Sequence, residues 1–363
     1  MKASLLQEHL LPSLLFVGKN VSFKTQLPIT QHVLLMAEKG RLRLATTNIE
    51  TTTATTIAVK SDKDGGICVP SKLFIDLVSS LPPGKTDLEV KEQTLFVANA
   101  GYRATLPGIG TGEFPPIPIK KKKGTPLGKQ EFVLAVKSVL YAAATDEGRP
   151  LLTGIKIKKT KDQTLFVATD GYRLSLKRTA LPLKEDFDRV IPGRALSLVL
   201  QVGEGEEVEF QEVEDGQIGF FSEDFEVYTR AIEGEYPAFE RIIPKTNSTA
   251  VTLDKETLVK AVKTAAIFAK DSANIVKLRF DQNSMTVSAN TPQVGESKID
   301  VDVEMEGDGG DIAFNSRFLL DFLSNVTADK LVFEMTGSLN PGAFKIKGDD
   351  SFLHIIMPVR VQG

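Results

Sequence analysis

Apolar residues recur along this chain in two rhythms, one helical and one stranded, and the pair of rhythms repeats. In 131–144, EFVLAVKSVLYAAA, apolar positions fall three to four apart, which predicts an amphipathic helix. Short apolar runs at 155–157 and 164–168 predict strands. Asp170-Gly171 predicts a turn, because Gly accepts positive φ, and 174–176 returns as a strand. A second helix is expected near 193–202, then strands at 208–210, 218–221 and 226–231. Two helices on one face of antiparallel meanders make an α+β class.

The pattern is copied along the chain. TLFVANAGYRAT at 94–105 and TLFVATDGYRLS at 164–175 are near-identical apolar runs broken at a small-residue turn. A longer period emerges from other landmarks. Leu44, Val167 and Val287 correspond, as do Pro70, Pro192 and Asn315, and Gly112 and Gly234, with spacings of 120 to 123 residues. Three units of about 121 residues therefore account for all 363. That period is domain-sized, so each unit is large enough for its own core. The expected domains are 1–120, 126–245 and 247–363. Lys120 to Pro126 (KKKKGTP) and Pro244 to Ala250 (PKTNSTA) read as the linkers.

Charge and cysteine narrow the function classes. With 44 Lys+Arg against 47 Asp+Glu the chain is slightly acidic, which argues against nucleic-acid binding by bulk charge. A basic face on an acidic molecule stays open. One cysteine, Cys68, permits no internal disulfide and suits a reducing compartment. The N-terminus is not a secretory signal, since Gln7, Glu8, His9 and Pro12 interrupt its leucines. No run approaches the roughly 18 apolar residues of a membrane span, so no membrane partner is expected.

No catalytic constellation is present. The three histidines, His9, His32 and His354, are scattered without ligand spacing. Gly108-Ile-Gly-Thr-Gly lacks the Lys-Ser/Thr of a phosphate loop. Asp308-Gly-Gly-Asp311 is too short for a calcium loop and reads as a hairpin turn. Cys68 sits in an apolar run and reads as core, and Asp170 as a turn residue. The expectation is a non-enzyme with no cofactor and no metal.

Cations on the helices carry more information. Lys137 lies on a first helix, Lys72 and Arg194 at second-helix starts, Lys255, Lys260, Lys263 and Lys270 along one helix of the third unit, and Arg317 begins another. They are either ordinary solvated faces or one shared surface offered to phosphates, sequence-independent and salt-sensitive.

Arg149-Pro-Leu-Leu-Thr-Gly154, ATDGYRLSL, GEYPAFERIIP and the terminal Met357-Pro-Val-Arg360, in that order across three equal units, resemble the bacterial sliding-clamp family, the beta subunit of DNA polymerase III. The resemblance covers the whole chain. It implies a head-to-tail dimeric ring of six domains, helices lining the hole and sheets outside. A basic lumen within an acidic exterior would then hold duplex DNA without sequence specificity.

The resemblance also implies a processivity factor that tethers the replicative polymerase. Its partners would be double-stranded DNA, a clamp loader, the polymerase and other clamp-binding-motif proteins, in the cytoplasm at the nucleoid. The alternative is a peptide-binding scaffold of the same fold that does not hold DNA. The implied partner-peptide pocket comprises Arg149, Leu152, Thr169, Gly171, Tyr172, Arg173, Leu174, Pro237, Arg241 and Ile242, with Asn315, Phe318, Ile355, Ile356, Met357, Pro358, Val359 and Arg360 from the third unit. Leu152, Leu174, Ile242, Ile356 and Met357 are expected to form an apolar slot. DNA-facing candidates by resemblance are Lys24, Lys72 and Arg194, to which the helix charges add Lys137, Lys260, Lys263 and Arg317. Ile267 and Phe268 are implied at the dimer contact. The third unit departs from the pattern, with Asn290-Thr-Pro where the second has Asp170-Gly-Tyr.

Overall fold

The computed structural model describes residues 1–21, 27–120, 124–201, 207–213, 216–270, 273–291 and 295–360. Lys24 and the last residues, Gln362 and Gly363, lie outside them. The chain packs as two compact units, one of residues 1–130 and 194–231, the other of 131–193 and 232 to the C-terminus. The middle repeat is therefore divided by its hydrogen bonding. Its strands Glu207–Glu212, Gln217–Phe221 and Phe225–Arg230 join a sheet with strands of the first repeat. Strands Gly154–Lys159, Thr164–Thr169 and Arg173–Thr179 join one with strands of the third.

Unit 1 holds a five-stranded and an eight-stranded antiparallel sheet. Helices α1 (Gln7–Gly18) and α2 (Ser71–Ser80) pack on each other and bury Leu10, Leu14, Phe74 and Val78 against the sheets. Unit 2 holds a nine-stranded and a four-stranded sheet. Helix α3 (Lys129–Leu140) enters this unit, and α4 (Gly193–Val199) starts at its boundary. Helices α5 (Lys255–Ala269) and α6 (Ser316–Asn325) complete it. Their apolar stripes enter a core of Leu258, Val262, Phe322, Phe333 and Phe344.

The helix ends follow from local chemistry. Asp254 caps α5 by accepting from Thr257 N at 2.8 Å, and Asn315 caps α6 by accepting from Arg317 N at 2.9 Å. The helix expected over 131–144 ends earlier, at Leu140. Ala142 N and Ala143 N bond three residues back, to Val139 O and Leu140 O, which tightens the last turn. The helix expected near 193–202 likewise shortens to Gly193–Val199.

Asp308 to Asp311 is not a hairpin turn. The strand before it, Glu304–Gly307, pairs with Thr249–Asp254 in the nine-stranded sheet, and the strand after it, Gly310–Asn315, pairs with Ile275–Asp281 in the four-stranded one. The segment is a crossover, tied down by Asp308 N to Ser248 O at 3.1 Å and Thr249 Oγ1 to Asp308 O at 2.6 Å. Cys68 is fully buried as expected, and burial pushes its thiol up to about 12.

Candidate functional site

The turn of 169–173 joins two neighbouring strands of the nine-stranded sheet. Thr169 Oγ1 donates to Arg173 O at 2.6 Å and accepts from Gly171 N at 3.0 Å. Asp170 Oδ1 accepts from Tyr172 N at 2.9 Å and Arg173 N at 3.0 Å. Gly171 sits at φ +91, a left-handed conformation that glycine adopts at little cost. Asp170 is thus the turn's scaffold, as its residue type suggests.

Three further elements meet this turn. Arg149 Nη1 donates to Asp170 O at 2.7 Å. Met357 N donates to Tyr172 O at 2.8 Å, and Val359 N to Ala313 O at 2.8 Å, which pins the C-terminal segment on the sheet. The Tyr172 ring stacks on Phe318 of α6, 6.3 Å between centroids. Tyr172 nevertheless stays 59% exposed, enough apolar surface to receive a ligand.

The expected slot is arranged differently from the sequence reading. Leu174, Ile355 and Ile356 are completely buried, so none of them lines an open surface. Leu174 and Ile355 belong to an apolar cluster with half-buried Leu152, while Ile356 enters the core beneath α5 and α6. Strand alternation sends adjacent side chains to opposite faces, so Ile355 and Ile356 cannot share one slot. Accessible surface comes instead from Tyr172, Pro237, Arg241, Ile242 and Arg360, with half-buried Leu152, Phe318, Met357, Pro358 and Val359. Asn315 is engaged as the α6 cap.

Arg173 is buried rather than offered to a partner. Its Nε lies 3.1 Å from Asp170 Oδ2 and its Nη1 2.6 Å from Asp321 Oδ2. Its guanidinium also lies 4.7 Å from the Phe318 ring centroid. It fixes the turn against α6. Sequence reasoning missed Asp321, Tyr236, Phe239 and Ile243. The last three stand in the apolar GEYPAFERIIP run that signalled them, whereas nothing marked Asp321 among surface carboxylates.

Behind the turn lies a buried polar group. Ser175 Oγ is 2.7 Å from His354 Nδ1 and 2.8 Å from the Tyr141 hydroxyl. The His354 ring stacks on Phe322 with centroids 4.6 Å apart. Burial first, and then the positive charge of Arg173, hold the His354 pKa well below its ordinary 6.5. The folded chain therefore keeps this imidazole neutral where the unfolded chain takes up a proton. Stability is full above about pH 6.5 and is lost as pH falls below it, by up to about 1.4 kcal/mol per pH unit for this one proton. Urea titrations between about pH 7.5 and 5.5 should show this slope in the native chain and a shallower one in His354→Gln. An equal slope in both would place the titration elsewhere.

The helix cations divide. Among the described residues, Lys72, Lys137, Lys263 and Arg317 are exposed and form no salt bridge. Lys260 is instead bound 2.6 Å from Glu256. Arg194 donates from Nη2 to Asn20 O and Val21 O, both at 3.3 Å, which ties it to the end of α1. Lys255 reaches Val326 O at 2.6 Å and acts as a clasp between α5 and the end of α6. Ile267, near the end of α5, is 60% exposed, and Phe268 beside it is half-buried.

No group of three or more His, Cys, Asp or Glu side chains that could hold a metal occurs among the described residues. Among them, no helix is long and apolar enough to cross a membrane.

Residues 1–118, 126–238 and 240–360 match, in order, the family models of the N-terminal, central and C-terminal domains of the DNA polymerase III beta subunit. The beta sliding clamp of Synechococcus elongatus is 27% identical over 100% of both chains, and that of Bacillus subtilis is 25% identical over 99% of this chain and 100% of its own. Among solved structures, the DNA polymerase III beta chain of Streptococcus pneumoniae superposes with a TM-score of 0.92 at 27% identity, covering 99% of this chain and 100% of that one. The sliding clamp of Bacillus subtilis superposes with a TM-score of 0.94 at 23% identity, covering 100% of both chains.

Proposed function

Because this chain belongs to the DNA polymerase III beta-subunit family, we propose that it works as a ring closed from two copies, with the three clamp domains at 1–120, 126–245 and 247–363. It is a processivity factor, a sliding clamp of DNA replication. The observation that carries this is the ordered match of all three clamp domains over nearly the whole chain.

The physical reading of the surfaces is consistent with that work. A clamp must hold DNA without stopping on it. Exposed amines and guanidinia on helices, unpaired by carboxylates, suit weak contacts to phosphates that exchange as the ring slides. On this reading Lys72, Lys137, Lys263 and Arg317 face duplex DNA, and Lys260 and Arg194 contribute less because each already has a partner. The chain itself carries out no reaction. It acts in the cytoplasm at the nucleoid, where a clamp loader opens the ring.

Partners bind at the turn of 169–173. Tyr172, Ile242 and half-buried Leu152, Phe318 and Met357 supply apolar surface, with Arg149, Arg241 and Arg360 as a cationic rim. Two partner side chains such as Leu and Phe gain roughly 1.5–3 kcal/mol each on burial there. Together these give about 3–6 kcal/mol, so a micromolar Kd, about 8 kcal/mol, also needs contacts with the arginine rim to offset the cost of ordering a flexible segment. Weak sites of that kind let the polymerase and other clamp-binding proteins exchange on one ring. Calorimetry with a polymerase-derived peptide tests this, and a null titration at about 100 μM protein would count against it.

The dimer contact is assigned to Ile267 and Phe268. An Ile that exposes 60% of its surface at a helix end gains by burial in a partner copy. Replacing both residues by Glu should weaken each junction about 100-fold and leave monomers at micromolar concentration, read by light scattering. A dimer mass in the variant would show that the junction lies elsewhere.

A further inference from the structure

The turn of 169–173 has a counterpart in unit 1, 122 residues earlier. Thr47 Oγ1 donates to Thr51 O at 3.3 Å and accepts from Ile49 N at 3.0 Å, as Thr169 does with Arg173 and Gly171. Asn48 Oδ1 accepts from Thr51 N at 2.7 Å, in the place of Asp170 and Arg173 N. Arg230 N donates to Glu50 O at 3.1 Å, as Met357 N does to Tyr172 O. The short 3₁₀ helix Pro28–Gln31 stands for Pro150–Thr153, with Leu27 at the position of Arg149.

The apolar bed is copied too. Ala45, Ala54, Cys68 and Phe114, with Ile29 and Ile117, form a separate cluster in unit 1. Each stands 122 residues before a member of the unit 2 cluster: Val167, Leu176, Val190, Tyr236, Leu151 and Phe239.

Two differences give the copy its own chemistry. Ile49 occupies the position of Gly171 at φ 80, a conformation that a β-branched side chain adopts only under strain. Ile49 is 49% exposed, so about half of its surface is open to a ligand. The second difference is charge. Leu27 and Ile119 replace Arg149 and Arg241, and they are 52% and 75% exposed. Glu50, also exposed, stands in the place of Tyr172. The unit 2 site has a cationic rim, and the unit 1 site offers apolar side chains beside one carboxylate.

We propose that this turn of unit 1 is a second docking site, which takes an extended, uncharged, apolar segment of a partner protein. The proposal rests on the reading of the unit 2 turn as a peptide surface. The occupant is fixed by charge: a segment with acidic flanks is matched by Arg149 and Arg241, whereas Leu27 and Ile119 offer it no cation and Glu50 repels it, which leaves an apolar segment without acidic flanks. One ring would then sort two partner classes onto two sites of the same construction.

Calorimetry with two capped synthetic peptides separates the sites. Both carry Leu and Phe; one is neutral and the other has flanking Asp residues. The proteins are the full chain, the chain ending at Ile356, and the double variant Ile49→Asp with Ile119→Ser. Asp enters the left-handed region more readily than Ile, so this variant should fold, as a thermal melt will show. Neutral-peptide binding should survive the truncation within about twofold and fall about tenfold or more in the double variant. It should change less than about twofold between about 0.05 and 0.5 M NaCl, because no charge pair contributes. Loss of neutral-peptide binding on truncation, with none in the double variant, overturns the proposal. Binding of the acidic peptide alone overturns it while leaving the unit 2 site standing. If neither peptide binds the full chain, both readings fail.

Discussion

Removal of residues 357–363 should abolish binding of the polymerase-derived peptide and leave the chain folded. Met357 N and Val359 N hold this segment on Tyr172 O and Ala313 O, so its apolar side chains are positioned by the fold. Deletion takes away Met357, Pro358 and Val359 from the rim of the site together with the Arg360 charge. Losing two such burial contacts corresponds to at least about 100-fold in Kd. The strand Asp349–Ile356 stays paired on both sides, and the buried side chains of Phe352, Leu353, Ile355 and Ile356 remain in their clusters. The melting temperature should therefore shift by only a few degrees, as expected for a loss of about 1 kcal/mol in a protein of this size. Binding within about threefold of the full chain would refute the assignment of this surface.

Changing Lys72, Lys137, Lys263 and Arg317 to Gln in every protomer should release DNA without touching peptide affinity. These side chains are exposed and lie on or at the start of helices. A lost phosphate contact lowers the slope of log affinity against log salt by about 0.9, so a ring losing contacts from both copies could shed a slope of about 7. Retention of a circular DNA, measured by gel filtration at several salt concentrations, reads this directly. Because none of the four contributes to the turn of 169–173, the peptide Kd should hold within about twofold. Unchanged DNA retention would favour the scaffold that binds peptides and no DNA.

Both experiments depend on distinguishing side chains that look alike in sequence. Lys260 and Lys263 are three residues apart on α5, yet Lys260 is neutralised by Glu256 one turn before it and Lys263 is not. Arg149 and Arg173 both bracket the same turn. Arg149 reaches it from outside through one backbone carbonyl, whereas Arg173 is buried between two carboxylates. Removing a buried charge partner costs more than removing an exposed one, so Arg173 is a poor choice for probing binding and Arg149 a good one.

Much of the fold was legible because local rules decide it. Helix periodicity located α3 and α4 to within a few residues, and alternating apolar runs located the strands of the middle repeat. Asp170-Gly171 announced a turn, since an Asx side chain and a permissive glycine favour one wherever they occur. The spacing of landmarks fixed three copies of one α+β unit, and the order of four motifs pointed to the clamp family. The burial of Cys68 was equally readable, being a matter of residue type and neighbours.

Tertiary structure alone decided what depends on partners far along the chain. The pairing of 173–177 with 352–356 divides the middle repeat between two units and buries Leu174, Ile355 and Ile356, which the sequence offered as binding residues. It brings Asp321 to Arg173, Tyr141 to His354, and the C-terminal segment to Tyr172 across large separations. Pairing with Thr249–Asp254 and with Ile275–Asp281 likewise separates Glu304–Gly307 from Gly310–Asn315 into different sheets where the sequence suggested a hairpin. The physical reason is the same in each case. A residue's type and periodicity fix which conformation it favours and which face it turns inward, but the exposure left to it, and the charge beside it, are set by whichever distant strand or helix closes over that face.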